Sequence, residues 1–83
     1  MIKIYSTTWC PSCVLAKRLF DSKNVEYEEI NIEELNMSRK KLFEITGGNT
    51  VPQIVINGTS IGGYDQLFML NQMNKLDDFC LLY

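Results

Sequence analysis

Cys10 and Cys13 stand three residues apart, with Pro11 and Ser12 between them. On a helix, residues three apart share a side, and that spacing suits the roughly 4.4–6.8 Å Cα separation of a disulfide. Such a pair can open and close with little backbone movement, as a reversible dithiol must. Two cysteines meeting by chance, or half of a metal site shared between chains, are the plainer readings. The pair follows a short strand-like run and opens a helical pattern, and this strand–helix placement inside a βαβ pattern points to redox chemistry. The chain has three cysteines and no histidine. A closed zinc site on one chain is therefore excluded, as is a cysteine nucleophile activated by an imidazole.

Helical phase separates the two sulfurs. Cys13, Ala16 and Phe20 fall on one stripe with Leu15 and Leu19 beside them, so Cys13 is expected to face inward. Cys10 precedes the first turn, where its sulfur is expected to meet solvent. The free N–H groups of Ser12 and Cys13, with the helix dipole, favour negative charge there. Cys10 is thus the expected attacking thiolate, and Cys13 the thiol that resolves the mixed disulfide. Pro11 removes an N–H and stiffens the turn, while the Ser12 hydroxyl is placed to bond the thiolate. Lys17 is read chiefly as a solvated helix cation. Trp9, beside Cys10, is read either as a core prop or as a contact for protein substrates.

These residues need elements to hold them. Ile2 and Ile4 alternate with Lys3 and Tyr5 as a first strand. After a loop from Ser6 to Trp9, Pro11 suits the first helical position, and Asn24 stops a helix ending near Lys23. Residues 25–32 read as a second strand. Ser38 or Asn36 caps a second helix bearing Leu42, Phe43 and Ile45, closed by Gly47-Gly48. Residues 51–56 form a third strand, and Asn57-Gly58 turns into a short fourth one. Asp65 is expected to cap a third helix reaching about Asn74, with a last helical turn near 76–81. The order β-α-β-α-β-β-α implies a small mixed α/β sheet flanked by helices.

A second group of residues stands apart from the cysteines. Pro52 has no N–H to give a ladder, so Thr50-Val51-Pro52 must open or edge its strand. A cis Val51–Pro52 bond would free the Val51 backbone to pair with an extended, peptide-like ligand. Gly62-Gly63 lets the chain come close to a ligand, and the N–H groups of Tyr64 and Asp65 suit a carboxylate.

The 83 residues carry a formal net charge of −2 and 46% apolar residues. That describes one small globular domain over residues 1–83 with no broad electrostatic footprint for nucleic acid. Arg39-Lys40-Lys41 reads mainly as a solvated helix face, with a carboxylate-bearing ligand as the alternative. The sequence opens directly on strand alternation, with no apolar signal core and no membrane-length apolar run. A cytoplasmic setting is expected, where a close cysteine pair is more often catalytic than structural.

Taken together, Cys10-Pro11-Ser12-Cys13, Thr50-Val51-Pro52-Gln53 and Gly62-Gly63-Tyr64-Asp65 resemble the glutaredoxin family, over essentially the whole chain from Ile2 to the third helix. The resemblance implies a thioredoxin fold with a four-stranded mixed sheet and a cis bond before Pro52. It implies glutathione as co-substrate, no tightly bound cofactor, and no metal. Protein disulfides and glutathionylated proteins would be the partners of a monomer. By motif position Cys10 resembles the nucleophile and Cys13 the resolving cysteine. Val51 matches the residue whose backbone pairs with the cysteine moiety of glutathione, and Tyr64 and Asp65 match the anchors of its γ-glutamyl end. Arg39 aligns with a contact to the glycine carboxylate, and Pro11, Ser12, Thr50, Pro52 and Gly63 fall in the same binding region.

Some positions depart from the family pattern. Ser12 stands where many members have tyrosine, Thr7 where many have lysine, and Gln66 where a second acid is common. Trp9 is more typical of thioredoxins, and the stretch Tyr5 to Cys10 is also similar to mycoredoxins. A redoxin recharged by a flavin thioredoxin reductase is therefore the alternative within the same chemistry. A glutathione-ligated [2Fe–2S] carrier is the alternative of a different class. Cys80-Leu81-Leu82-Tyr83 fits a prenylation box only formally, and Cys80 is expected on the last apolar turn or at the periphery, with a regulatory disulfide left open.

Overall fold

The computed structural model describes residues 1–73. The expected last helical turn and Cys80 lie outside the described residues. The elements are β1 (Ile2–Ser6), α1 (Pro11–Ser22), β2 (Glu28–Asn31), α2 (Arg39–Thr46), β3 (Gln53–Ile56), β4 (Thr59–Gly62) and α3 (Tyr64–Gln72). Their order is the one that the hydrophobic pattern predicts. The sheet runs β2-β1-β3-β4, with β1 and β2 parallel and the other pairs antiparallel.

Strand alternation builds two cores. Ile2 and Ile4 of β1, with Ile54 and Ile56 of β3, bury one face against Ala16 and Phe20 of α1 and Leu67 of α3. The opposite face carries Tyr5 with Ile32 and Leu42, and Val51 and Val55 pack against them. Helices therefore cover both faces, and β1 at the centre is buried throughout apart from Lys3, which is half-buried. On α2, Leu42 and Thr46 face inward one turn apart, which leaves Phe43 and Ile45 exposed.

Three boundaries differ from expectation for local reasons. β2 begins at Glu28 rather than Val25, because Val25 is used to end α1. Asn24 takes a left-handed φ of 56°. Its N–H donates to the Asp21 carbonyl, and the Val25 N–H to the Phe20 carbonyl, both at 3.1 Å. That is a Schellman termination, and Val25 packs in the Phe20 cluster as the motif favours. β3 begins after Pro52, which has no N–H for the ladder.

Asp65 is not the cap of α3. Gly63 is, with the Gln66 side-chain oxygen accepting its N–H at 2.9 Å, while Asp65 lies inside the first turn. The approach to that cap needs Gly62, whose φ is +110°. At α2 Ser38, not Asn36, is the cap, accepting from the Lys41 N–H at 3.0 Å. Asn57 and Gly58, at φ 51° and 83°, form the expected tight hairpin turn between β3 and β4.

Candidate active site

α1 starts on its own sulfur. Cys10 is the N-cap, in extended conformation, and Pro11 holds the first helical position. Cys10 and Cys13 are joined as a disulfide with Cα atoms 5.2 Å apart. The Cys13 N–H donates to Cys10 Sγ at 3.1 Å, so sulfur does what a serine or aspartate oxygen does at most caps. Cys13 and Val14 also donate to the Cys10 carbonyl, at 3.1 and 3.2 Å. A negative charge on Cys10 Sγ would gain from that N–H and from the positive end of the helix.

The exposure of the two cysteines follows the expected order but not the expected degree. Cys13 is 1% exposed and Cys10 9%. Capping folds the Cys10 side chain back over the first turn, so Cys10 is the more exposed of the two residues without standing out in solvent. Of the two N–H groups expected to serve it, that of Cys13 makes the bond. Ser12 is exposed and turned to the neighbouring cleft rather than serving as the donor to the sulfur. Trp9 is 86% exposed, which decides against a core prop.

The cleft beside Ser12 has a volume of about 570 Å³. Thr50, Val51 and Pro52 line it, as do Gly63, Tyr64 and Asp65 at the N-terminal end of α3. The Val51–Pro52 bond is cis. The two sequence segments that stood apart from the cysteines are thus brought to one cavity that reaches the cysteine turn through Ser12. Cys10, Pro11 and Arg39 are not among its walls. Arg39 donates from Nη1 to the Asn49 carbonyl at 3.1 Å, which places its guanidinium against the residue preceding Thr50.

The sequence reading missed part of this wall. Thr46, Gly48, Gln53, Ser60 and Ile61 line it too. Ser60 donates to the Thr46 carbonyl at 2.6 Å and so ties the hairpin to the end of α2. Gln53 is buried, and its amide lies where a side chain at Gly48 would stand. A polar residue just inside a strand that is otherwise apolar was the available signal. Gln66, at the position where an acid is common, spends its oxygen on the Gly63 cap.

Lys17 is not a free charge for the site. Its ammonium meets Glu29 Oε2 at 2.9 Å, and Ser6 Oγ donates to the same oxygen at 2.8 Å. The hydrogen bond from Lys17 holds the Glu29 carboxyl below its ordinary value of 4.5, burial opposes, and the Ser6 bond adds to the lowering. A carboxyl lowered by folding stabilises the fold fully above the ordinary carboxylate range and loses that contribution as pH falls through its folded value. Glu29→Gln is expected to cost under about 1 kcal/mol at pH 7, since both side chains are partly solvated. The cost should be smaller at pH 3 than at pH 7, because protonation of the carboxyl removes it. Urea unfolding of both proteins at the two pH values measures it; an equal loss at each would show that the ion pair is not its source.

The glutaredoxin family profile matches residues 2–61. Glutaredoxin 1 of Rickettsia typhi is 46% identical over 78 residues, spanning 92% of this chain and 75% of the relative. The glutaredoxin of Pseudomonas aeruginosa is 42% identical over 76 residues, spanning 92% and 90%. Among solved structures, a buckwheat glutaredoxin–glutathione complex superposes with a TM-score of 0.86 at 29% identity, over 96% of this chain and 76% of that one. Glutaredoxin from Brucella melitensis gives a TM-score of 0.79 at 38% identity, over 95% and 86%.

Proposed function

The chain belongs to the glutaredoxin family of thiol–disulfide oxidoreductases, with the thioredoxin fold, and on that premise we propose that glutathione is its reductant. The observation that carries the reading is the single cleft joining Val51 and Pro52 to the N-terminus of α3 beside the cysteine turn. An extended tripeptide thiol fits those features. The Val51 backbone pairs with its cysteine unit, and the N–H groups of Tyr64 and Asp65 take its α-carboxylate at the positive end of α3. The Asp65 carboxylate takes the neighbouring ammonium. Arg39 reaches the glycine carboxylate by leaving Asn49, and Ser12, Thr50, Pro52 and Gly63 shape the walls.

In the reaction, the Cys10 thiolate attacks one sulfur of a substrate disulfide and the other sulfur leaves as a thiolate that takes up a proton. On a protein disulfide, Cys13 then loses its proton and attacks Cys10 Sγ, closing the Cys10–Cys13 disulfide and displacing the substrate sulfur still bound there, which leaves as a thiolate and takes up a proton. Two glutathiones reopen it and leave as glutathione disulfide. With a glutathionylated protein, Cys10 takes the glutathionyl group and one further glutathione removes it. Electrons balance in both routes, and no resident cofactor takes part.

Turnover of a small glutathione mixed disulfide with glutathione, glutathione reductase and NADPH tests the reading. Asp65→Ala is expected to raise the KM for glutathione by about tenfold or more, the value of one charge-assisted bond, with kcat little changed. Turnover with thioredoxin reductase in place of the glutathione system would overturn the choice of reductant. The exposed Trp9 is what favours that rival.

A further inference from the structure

The turn that carries Trp9 is held at several points by the last residue of β2 and the segment following it. The Thr8 N–H donates to Glu33 Oε1 at 2.7 Å, a charge-assisted bond. Asn31 Nδ2 donates to Thr8 Oγ1 at 3.2 Å. The other end of the same amide is occupied too: Asn31 Oδ1 accepts from the Glu33 and Glu34 N–H groups at 2.9 and 3.2 Å. Upstream, the Ile32 N–H donates to the Ser6 carbonyl at 2.8 Å, and within the turn Thr7 Oγ1 donates to the Trp9 carbonyl at 3.3 Å. The backbone on the N-terminal side of Trp9 is therefore fixed, and the residue after it is the N-cap of α1. Yet the indole is 86% exposed. Fixing a backbone this closely around a side chain that packs so little is a poor use of bonds for stability alone.

We propose that Glu33 and Asn31 are positioning residues for polypeptide substrates, locking the Thr7–Trp9 turn so that the indole stands ready beside Cys10. Glu33 touches neither sulfur nor substrate; it acts through Thr8 and Trp9. A held aromatic offers a large contact face without losing freedom at the moment of binding. A chain flanking a substrate disulfide can lie across it, whereas a small mixed disulfide, seated in the cleft that Ser12 lines and Trp9 does not, has no need of it. The proposal deepens the thiol–disulfide reading of this site and rests on it.

Trp9 is the sole tryptophan of the chain, so its emission reports the turn directly. Glu33→Ala should add a fast component to the time-resolved anisotropy of Trp9, and Glu33→Gln, which keeps an acceptor for Thr8, should not. Thr8→Val removes the hydroxyl that Asn31 Nδ2 holds while leaving Asn31 Oδ1 on the Glu33 and Glu34 N–H groups, and should loosen the turn even if Glu33→Ala fails to fold. In the loosened variants the KM for a disulfide-bonded peptide should rise about threefold to tenfold, the scale of ordering one large side chain. The KM for a small glutathione mixed disulfide should move less than twofold on the same scale. Unchanged anisotropy in both loosened variants would overturn the clamp. Equal rises in KM for the two substrates would overturn the assignment to polypeptides. Absence of small mixed-disulfide turnover in the unaltered protein would instead overturn the enzymatic reading, and the substrate half of the proposal with it, while the anisotropy still judges the clamp.

Discussion

Cys10→Ser is expected to lower thiol–disulfide exchange by at least about a thousandfold, because a serine hydroxyl is not ionised at neutral pH and the thiolate is the nucleophile. The site offers nothing to replace it, since the chain has no histidine to act as a base and Cys13 is buried. Cys13→Ser should behave differently. It blocks closure of the intramolecular disulfide, so exchange with protein disulfides stalls at the mixed species. Removal of glutathione from a mixed disulfide needs only Cys10 and should continue at a measurable rate. Following glutathione release and the mass of the trapped intermediate distinguishes the two variants. Full activity in Cys10→Ser, or a glutathionyl adduct on Cys13 in the unaltered protein, would reverse the roles of the two cysteines.

The second large effect concerns the fold. Phe20 is fully buried on the inward stripe of α1, packs in the cluster with Ile2, Ile4 and Leu67, and lies 5.9 Å from the Tyr27 ring, centroid to centroid. Its carbonyl also accepts the bond from Val25 that ends the helix. Phe20→Ala removes the ring that fills this space, with an expected cost of about 3–5 kcal/mol. A small domain has a total stability near the lower end of about 5–15 kcal/mol, so most of it would go. Urea unfolding should show a large fall in the midpoint, and the variant should bind a hydrophobic dye at denaturant concentrations where the unaltered protein does not. A loss below about 1 kcal/mol would mean that the packing of α1 on the sheet does not depend on this ring.

Periodicity made most of the architecture legible. Ile2 and Ile4, Cys13, Ala16 and Phe20, and the Asn57-Gly58 turn each satisfy one pattern with one solution, and the structure contains that solution. The misreadings come from residues with two possible uses. Val25 has strand propensity but closes α1, and Asp65 has the chemistry of a cap but stands two residues beyond the one that does the capping. Sequence could not weigh these, because the outcome depends on where the incoming chain points.

The candidate site divides in the same way. Local phase sufficed to rank the two sulfurs and to give Pro11 its place. It could not show that Cys10 folds back as its own helix's cap, that Lys17 is claimed by Glu29, or that Gln53 and Ser60 join the cleft. Each of those depends on side-chain geometry or on contacts between segments that local phase does not reach. The Thr8–Glu33 bond links residues 25 apart and has no sequence signature of its own.

The sheet that carries this site ends in β2 on one side and β4 on the other. Each is four residues long. An outer strand presents unpaired backbone groups to any chain that passes, and long, flat, apolar ones invite uncontrolled growth. Here β2 places Glu28 and Glu29 at the surface, and β4 pairs with β3 through an irregular register that interrupts the ladder. An oxidoreductase that acts on extended polypeptides must hold them beside its helix without letting them zip onto its sheet. Brevity, charge and a broken ladder keep the borders of this molecule inhospitable to further strands, so that a polypeptide substrate of the kind proposed above can be held by its sulfur and still be let go.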